Sequence, residues 1–274
     1  MELRFCPLFS GSSGNALYLG CGDTHLLIDA GMSGAKITAE MERIGLSPKD
    51  LTGILVTHEH ADHIAGAGIL SRRYDLPIYA NEGTWVAMHE KLGNIHEKNV
   101  MLFETGADFH IGSLDITPFA TPHDAAEPVG YSFYAGRNKL SIATDLGAVK
   151  ESWLKHIEES DLVLLESNHD VDMLKAGRYP YELKRRILGS KGHLSNDDAG
   201  KAAVELVRRG VRSIILGHLS GENNFPELAY QSVCSMLQLE GIDPGSDVML
   251  SVASRDGASG MYVIGDERPH LEVI

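Results

Sequence analysis

Long hydrophobic runs are missing from this 274-residue chain: no stretch of about 18 consecutive apolar residues occurs, so no membrane-spanning helix is expected. The opening residues, Met1-Glu-Leu-Arg-Phe5, lack the charged-then-apolar pattern of a secretory signal, and the expected compartment is the cytoplasm. Cysteine is scarce. Cys6, Cys21 and Cys234 form no close pair and no Cys-x-x-Cys, so neither a disulfide framework nor a thiolate metal site is signalled. Positive charge is also in short supply: 24 Lys and Arg stand against 38 Asp and Glu, for a formal charge of −14, which works against nonspecific attraction to polyanions. Linkers, repeats and low-complexity segments are absent. Residues 1–265 are therefore expected to form one domain, followed by a C-terminal tail at 266–274. The sequence leaves the oligomeric state open.

What is present is enough apolar residue, 43%, for a sizeable core, arranged in short strand-like runs with interspersed helical periods. Strands are expected at Leu3–Phe9, Ala16–Leu19, Leu26–Ile28, Gly53–Thr57, Leu114–Phe119, Val129–Tyr134, Leu140–Ala143, Leu162–Leu165, Ser213–Leu216, Val248–Val252 and Met261–Ile264. Helices are expected at Ala35–Ile44, Ile64–Tyr74, Glu82–Leu92, Lys150–Glu159, Asp197–Arg209 and Pro226–Leu239. This mixture gives an α/β (α+β) class with two sheets faced by helices. Ser195-Asn-Asp-Asp198 has the form of a capping box, which puts His193 just before a helix start.

Chemistry concentrates at His58-Glu-His-Ala-Asp-His63, directly after an apolar run. In an extended segment His58 and His60 point to the same side and can share one ion, while Asp62 and His63 reach a second where the chain turns toward a helix. Imidazole and carboxylate together describe a dinuclear divalent centre, zinc or manganese, rather than a closed structural zinc site. Three further ligands are available, each at or just beyond an expected strand end: His123 in Thr121-Pro-His-Asp124, Asp145 in Ala143-Thr-Asp-Leu-Gly147 and His218 in Leu216-Gly-His-Leu-Ser220. His123 would complete the first ion and His218 the second, with Asp145 bridging both. His25, His89, His96, His110, His156 and His270 lack such surroundings and read as ordinary residues.

The ordered set His-x-His-x-Asp-His, then His123, Asp145 and His218, resembles the signature of the metallo-β-lactamase superfamily over nearly the whole chain. That resemblance implies a four-layer αββα sandwich with the metals at one edge between the sheets. Ser10-Gly-Ser-Ser-Gly-Asn15, Glu166-Ser-Asn-His-Asp170 and Gly192-His-Leu-Ser195 further resemble the YycJ/WalJ branch, which implies a DNA exonuclease working from the 5′ end, with Ser12, Asn15 and His169 near substrate. The run Asp161-Leu-Val-Leu-Leu-Glu166, then His193, then His218, is similar to the order in tRNase Z. By that similarity Glu166 orients His193, and His193 serves the leaving oxygen or the scissile phosphate, joining Asp62 as a catalytic group. The sequence departs from tRNase Z at Leu165, where that family has His.

Two ions about 3.5–4 Å apart would hold a bridging water and stabilise charge on substrate oxygens, chemistry that suits phosphodiesters, thioesters and amides alike. Nucleic acid, by resemblance DNA, is the expected partner. The alternative is a small-molecule hydrolase of thioesters or lactams in the same superfamily. Other residues keep two readings: His193 as a helix-start cap, Glu166 as a buried supporting acid, and Ser10–Asn15 as a plain turn. Lys184, Arg185, Arg186 and Lys191 form a basic run just before His193 that either draws substrate phosphates or is a solvated face. Only 72 residues separate Asp145 from His218, too few for a large inserted β-CASP domain.

Overall fold

A computed structural model describes residues 1–265 and 269–272. The first sheet opens with strands β1 (Leu3–Gly11), β2 (Gly14–Cys21) and β3 (Thr24–Ile28), paired antiparallel. Helix α1 (Gly34–Arg43) leads to β4 (Gly53–Leu55), which pairs parallel with β3. Helices α2 (Ala61–Ile64) and α3 (Ala67–Tyr74) follow, then β5 (Ile78–Ala80), α4 (Glu82–Leu92) and β6 (Val100–Leu102). The second sheet contains β7 (Phe109–Ile111), β8 (Leu114–Ala120), β9 (Val129–Ala135), β10 (Asn138–Ala143), and, after α5 (Glu151–Ile157), β11 (Leu162–Glu166). Helices α6 (Val171–Ala176), α7 (Tyr181–Ile187) and α8 (Asn196–Arg208) precede β12 (Ser213–Gly217). Helix α9 (Pro226–Leu239) and β13 (Met249–Val252) follow, and β14 (Met261–Ile264) and β15 (His270–Glu272) return to the first sheet. The sheet orders are β15-β14-β1-β2-β3-β4-β5-β6 and β13-β12-β11-β10-β9-β8-β7.

Side-chain alternation sorts the strands into layers. Along β11, Leu162 and Leu164 point between the sheets, where they meet Phe5, Leu19, Tyr131 and Ile142, while Val163 and Leu165 point outward onto Trp153, Ala202 and Val233 of the helices. The outer face of the first sheet is covered in the same way by Ile37, Met41, Leu70 and Met88. The result is the expected αββα order, and both faces of the central strands are buried, which is why Leu162–Leu165 of β11 and Ile214–Leu216 of β12 read as apolar runs. Truncating a side chain such as Leu164 to Ala would cost about 2–5 kcal/mol.

The elements differ from the sequence reading in one helix and in several short pieces. The single helix from Ile64 to Tyr74 is two, because Gly66 turns its N–H to the Ala30 carbonyl at 2.7 Å and interrupts the period. The short elements α6, α7 and β5 to β7 give too few turns or alternations to stand out in sequence. In the tail expected at 266–274, His270–Glu272 pairs with β14; residues 266–268 and 273–274 lie outside the described residues.

The parallel strands β3-β4 and β10-β11-β12 carry their C-terminal ends to one edge of the sandwich, where ligand sites of α/β sheets form. Three residues just past those ends, Asp29 (φ 60°), Asp145 (φ 58°) and His218 (φ 56°), adopt left-handed backbone that a side chain normally avoids. Such backbone costs about 1–3 kcal/mol per residue where a side chain resists it, and three of the five non-glycine residues with positive φ among the described residues gather at this edge.

Candidate metal centre

The loop His58–His63 leaves β4 and is fixed from below by the segment after β3. Ala30 N–H donates to the His63 carbonyl and Gly31 N–H to the Asn15 carbonyl, both at 2.7 Å. A Cβ on Gly31 would collide with the Asp62 carbonyl oxygen, so only glycine lets the two segments pass this closely. Asp29 then does the orienting. Its carboxylate accepts from Thr57 N (2.8 Å), Thr57 Oγ1 (2.8 Å) and His63 Nδ1 (2.7 Å), which turns His63 Nε2 toward the cleft.

Six donors converge in two groups of three. His58 Nε2 lies 3.0 Å and His123 Nε2 3.3 Å from His60 Nδ1, and the three imidazoles form one set of ligating atoms within 4.8 Å of each other. Asp62, His63 and His218 form another, with His63 Nε2 3.6 Å and His218 Nε2 3.8 Å from Asp62 Oδ2. Asp145 stands between them: its carboxylate is 3.5 Å from His63, 3.7 Å from His123 and 3.4 Å from His218. Within this cluster Asp145 Oδ2 and His218 Nε2 are buried with no hydrogen-bond partner. Buried polar atoms left unpaired in a convergent N/O donor set fit a cation, and these His/Asp clusters are suited to binding metal ions.

Glu166, fully buried at the end of β11, joins four neighbours. Oε1 accepts from His218 Nδ1 and His193 Nδ1, each at 2.8 Å, and Oε2 accepts from Leu146 N–H (2.7 Å) and Leu194 N–H (3.1 Å). One carboxylate thus sets the tautomer of two imidazoles and pins the loops carrying Asp145 and His193. His193 is the more open of the two, its side chain 19% exposed against 1% for His218.

Burial alone would raise the Asp62 and Glu166 carboxyls, yet the imidazoles around them overcome it and hold both below the ordinary range. Burial likewise opposes charge on His63, but Asp145, Asp29 and Asp62 outweigh it and push His63 up to about 9. His218 is raised for the same reason. His58 goes the other way, held well below its usual value by burial and by the imidazoles around it, and burial lowers His123 too.

Above the donors lies a cavity of about 350 Å³. Ser12 lines it, as do Asp62, Asp145, His193 and His218. Asn15 does not: it is buried beneath the motif, accepting from Gly11 N–H (3.1 Å) and facing His63 Nε2 (3.2 Å), which places it against His63 and outside the lining. His169 is also buried, at 1% exposure, away from the cleft lining. Of the basic run, only Arg186 lines the cleft, gripped by Asp124 through Nε (2.5 Å) and Nη2 (3.2 Å). Lys184 caps the end of α6 through the carbonyls of Lys175 and Gly177, Arg185 leans on Glu182 in solvent, and Lys191 is exposed outside the lining. A seven-residue helix turns its side chains through nearly two turns, so α7 can aim only part of the run inward. Sequence reasoning missed Asp29 and Asp124. The signal for Asp29 was there: Leu26-Leu-Ile-Asp-Ala-Gly31 repeats the form of the Asp145 segment, an acid ending an apolar strand before Gly.

Two packed sheets with histidine and aspartate clusters at one edge define a metal-dependent hydrolase class, and the comparison with known proteins agrees. Residues 24–219 match the family described as beta-lactamase superfamily domain, and the chain belongs to it. It is 44% identical to exodeoxyribonuclease YycJ of Bacillus anthracis, over 89% of this chain and 93% of that protein. It is 41% identical to exodeoxyribonuclease WalJ of Streptococcus pneumoniae, over 95% of this chain and 98% of that one. The crystal structure of the metallo-β-lactamase fold protein YhfI from Bacillus subtilis superposes with a TM-score of 0.70 at 18% identity, covering 93% of this chain and 98% of that one. The protein is an enzyme, a hydrolase of the metallo-β-lactamase superfamily. No helix among the described residues is long and apolar enough to cross a membrane.

Proposed function

We propose that this chain is a two-metal phosphodiesterase that removes nucleotides from the 5′ end of DNA in the cytoplasm. His58, His60 and His123 would hold one divalent ion, zinc or manganese, Asp62, His63 and His218 would hold the second, and the Asp145 carboxylate approaches both triads. When bound, such ions supply an activated water and neutralise charge on phosphate oxygens. The observation that carries the reading is the Glu166–His193 pair. His193 is not needed to complete either triad, yet it is held at 2.8 Å by a buried carboxylate and opens into the cleft beside them. A thioester leaves as a thiolate that needs little help, whereas the alkoxide of a sugar needs a proton. His193, with Nδ1 on Glu166 and Nε2 directed away from it, donates that proton as the phosphorus–oxygen bond breaks. Arg186 adds the cleft's own permanent cation. The two relatives named exodeoxyribonuclease support DNA as the polymer.

The test is incubation with zinc or manganese against 5′-labelled DNA, 5′-labelled RNA and a thioester, with Asp62→Ala alongside. Expected is metal-dependent release of the labelled mononucleotide from DNA at the earliest times, lost in the variant. Turnover of the thioester alone would overturn the reading, and a ladder of shortened labelled strands would reverse the polarity.

A further inference from the structure

Arg255 lies in the loop between β13 and β14, outside the cleft lining and outside every residue set discussed so far. Its side chain packs against Gly11, the last residue of β1, and Gly221, four residues past the end of β12. Neither glycine has the positive φ that would demand glycine for backbone reasons. What each provides is room. A Cβ on Gly221 would sit 2.6 Å from Arg255 Nη2, and one on Gly11 would sit 3.0 Å from Cγ and 3.3 Å from Nε.

The arginine so accommodated makes no hydrogen bond or ion pair among the described residues, and its Nε is buried without an acceptor. In a chain with 38 carboxylates to 24 cations, a half-buried guanidinium without a carboxylate is unusual, because a shielded N–H normally finds an acceptor. Its surroundings lie next to the metal cleft. Ser12 and Ser220, the neighbours of the two glycines, line the metal cleft, and Ser12 Oγ accepts from Asn168, another lining residue, at 3.1 Å. The guanidinium is thus framed by two glycines that each adjoin a lining residue, on elements separate from the α7 helix that carries Arg186.

We infer that Arg255, framed by Gly11 and Gly221, is an anion subsite that holds a phosphate of the substrate strand other than the one being cleaved. The inference rests on the phosphodiesterase reading above. It also answers how a protein of charge −14 grips a polyanion: cations placed at the cleft, one lining it and one beside its lining residues, replace a basic surface.

The test compares an oligonucleotide with bis(p-nitrophenyl) phosphate, which has a single phosphate and cannot reach a second subsite, in the metal-loaded enzyme. For Arg255→Ala the expected result is an oligonucleotide KM raised about tenfold with kcat held, and a salt dependence of kcat/KM shallower by about one in log–log slope. Hydrolysis of the small diester stays at the wild-type rate. Gly221→Ala, which displaces the guanidinium without removing it, shifts KM in the same direction, and Arg255→Lys recovers part of the loss. An unchanged oligonucleotide KM and salt slope in Arg255→Ala would overturn the subsite, as would parallel loss on both substrates in all three variants, which marks a structural arginine. A wild-type enzyme inert toward both phosphodiesters would instead remove the phosphodiesterase reading, and the subsite with it.

Discussion

The two triads at the floor of the cleft share an edge of the sandwich but have opposite electrostatics. His58, His60 and His123 are three imidazoles with no carboxylate among them; burial keeps His58 and His123 below their ordinary pKa, reinforced at His58 by the imidazoles around it and opposed at His123 by Asp145. Asp62, His63 and His218 sit among Asp29, Asp145 and Glu166, which drive His63 and His218 upward. Without metal, His58 and His123 therefore favour the neutral ring while His63 and His218 favour the charged one. A proton there occupies the same lone pairs an ion would, so the carboxylates do not merely attract a cation; they make its arrival an exchange.

Asp145 is where the comparison breaks down, since its carboxylate approaches both groups. Asp145→Ala should lower kcat about a thousandfold or more, because under the two-metal proposal both ions would lose a neighbour and the left-handed turn at φ 58° loses its carboxylate. Calorimetric titration of the variant with zinc should show both binding steps weakened. If one step keeps its wild-type affinity, Asp145 belongs to a single triad.

Asp29→Asn should separate the triads. Asp29 accepts directly from His63 Nδ1 and reaches His58 only through Thr57 Oγ1, which lies 3.0 Å from His58 Nδ1. Removing its charge should weaken the carboxylate-bearing site about 10- to 100-fold and the three-imidazole site by less, read by competition with a chelator. Equal weakening of the two would show that the loop responds as one body.

The same contrast explains what the sequence made legible. Four ligating residues within His58–His63 announce themselves because the chain delivers them consecutively from one strand end. On the second sheet each strand contributes a single residue, so His123, Asp145 and His218 stand out only as a set, and Glu166 and His193 only through likeness to a known order. Two sheets faced by helices were legible from short apolar runs, because β11 and β12 are buried on both faces and carry Leu162–Leu165 and Ile214–Leu216 up to the site, whereas the four-layer order came from likeness to a known family. The cleft wall was not legible. Arg185 and Arg186 are identical in type and adjacent, and which one faces the metals depends on the rotation of α7 and on Asp124 from a distant loop. Arg255 was still less accessible, since what distinguishes it is the absence of partners and the approach of two glycines from other strands.

The smallest expected effect concerns protons. With His63 pushed up to about 9, the imidazolium dominates at neutral pH in the metal-free protein, and an ion needs the neutral ring. The sign follows: above pH 9 there is no proton to displace at His63, and below it each unit of acidification costs about tenfold in apparent affinity for every proton exchanged. His218 is raised in the same way and adds to this slope. His58 and His123 are lowered, so at pH 7 to 8 they are already neutral and the step at their site should be nearly flat in pH. Zinc titrations in buffers of different ionisation enthalpy count the protons released at each step. Release confined to one step identifies the carboxylate-bearing site, and Asp29→Asn should reduce that release by lowering the His63 pKa. Equal proton release in both steps would mean that the imidazoles titrate as one cluster, and the electrostatic distinction between the triads would fall.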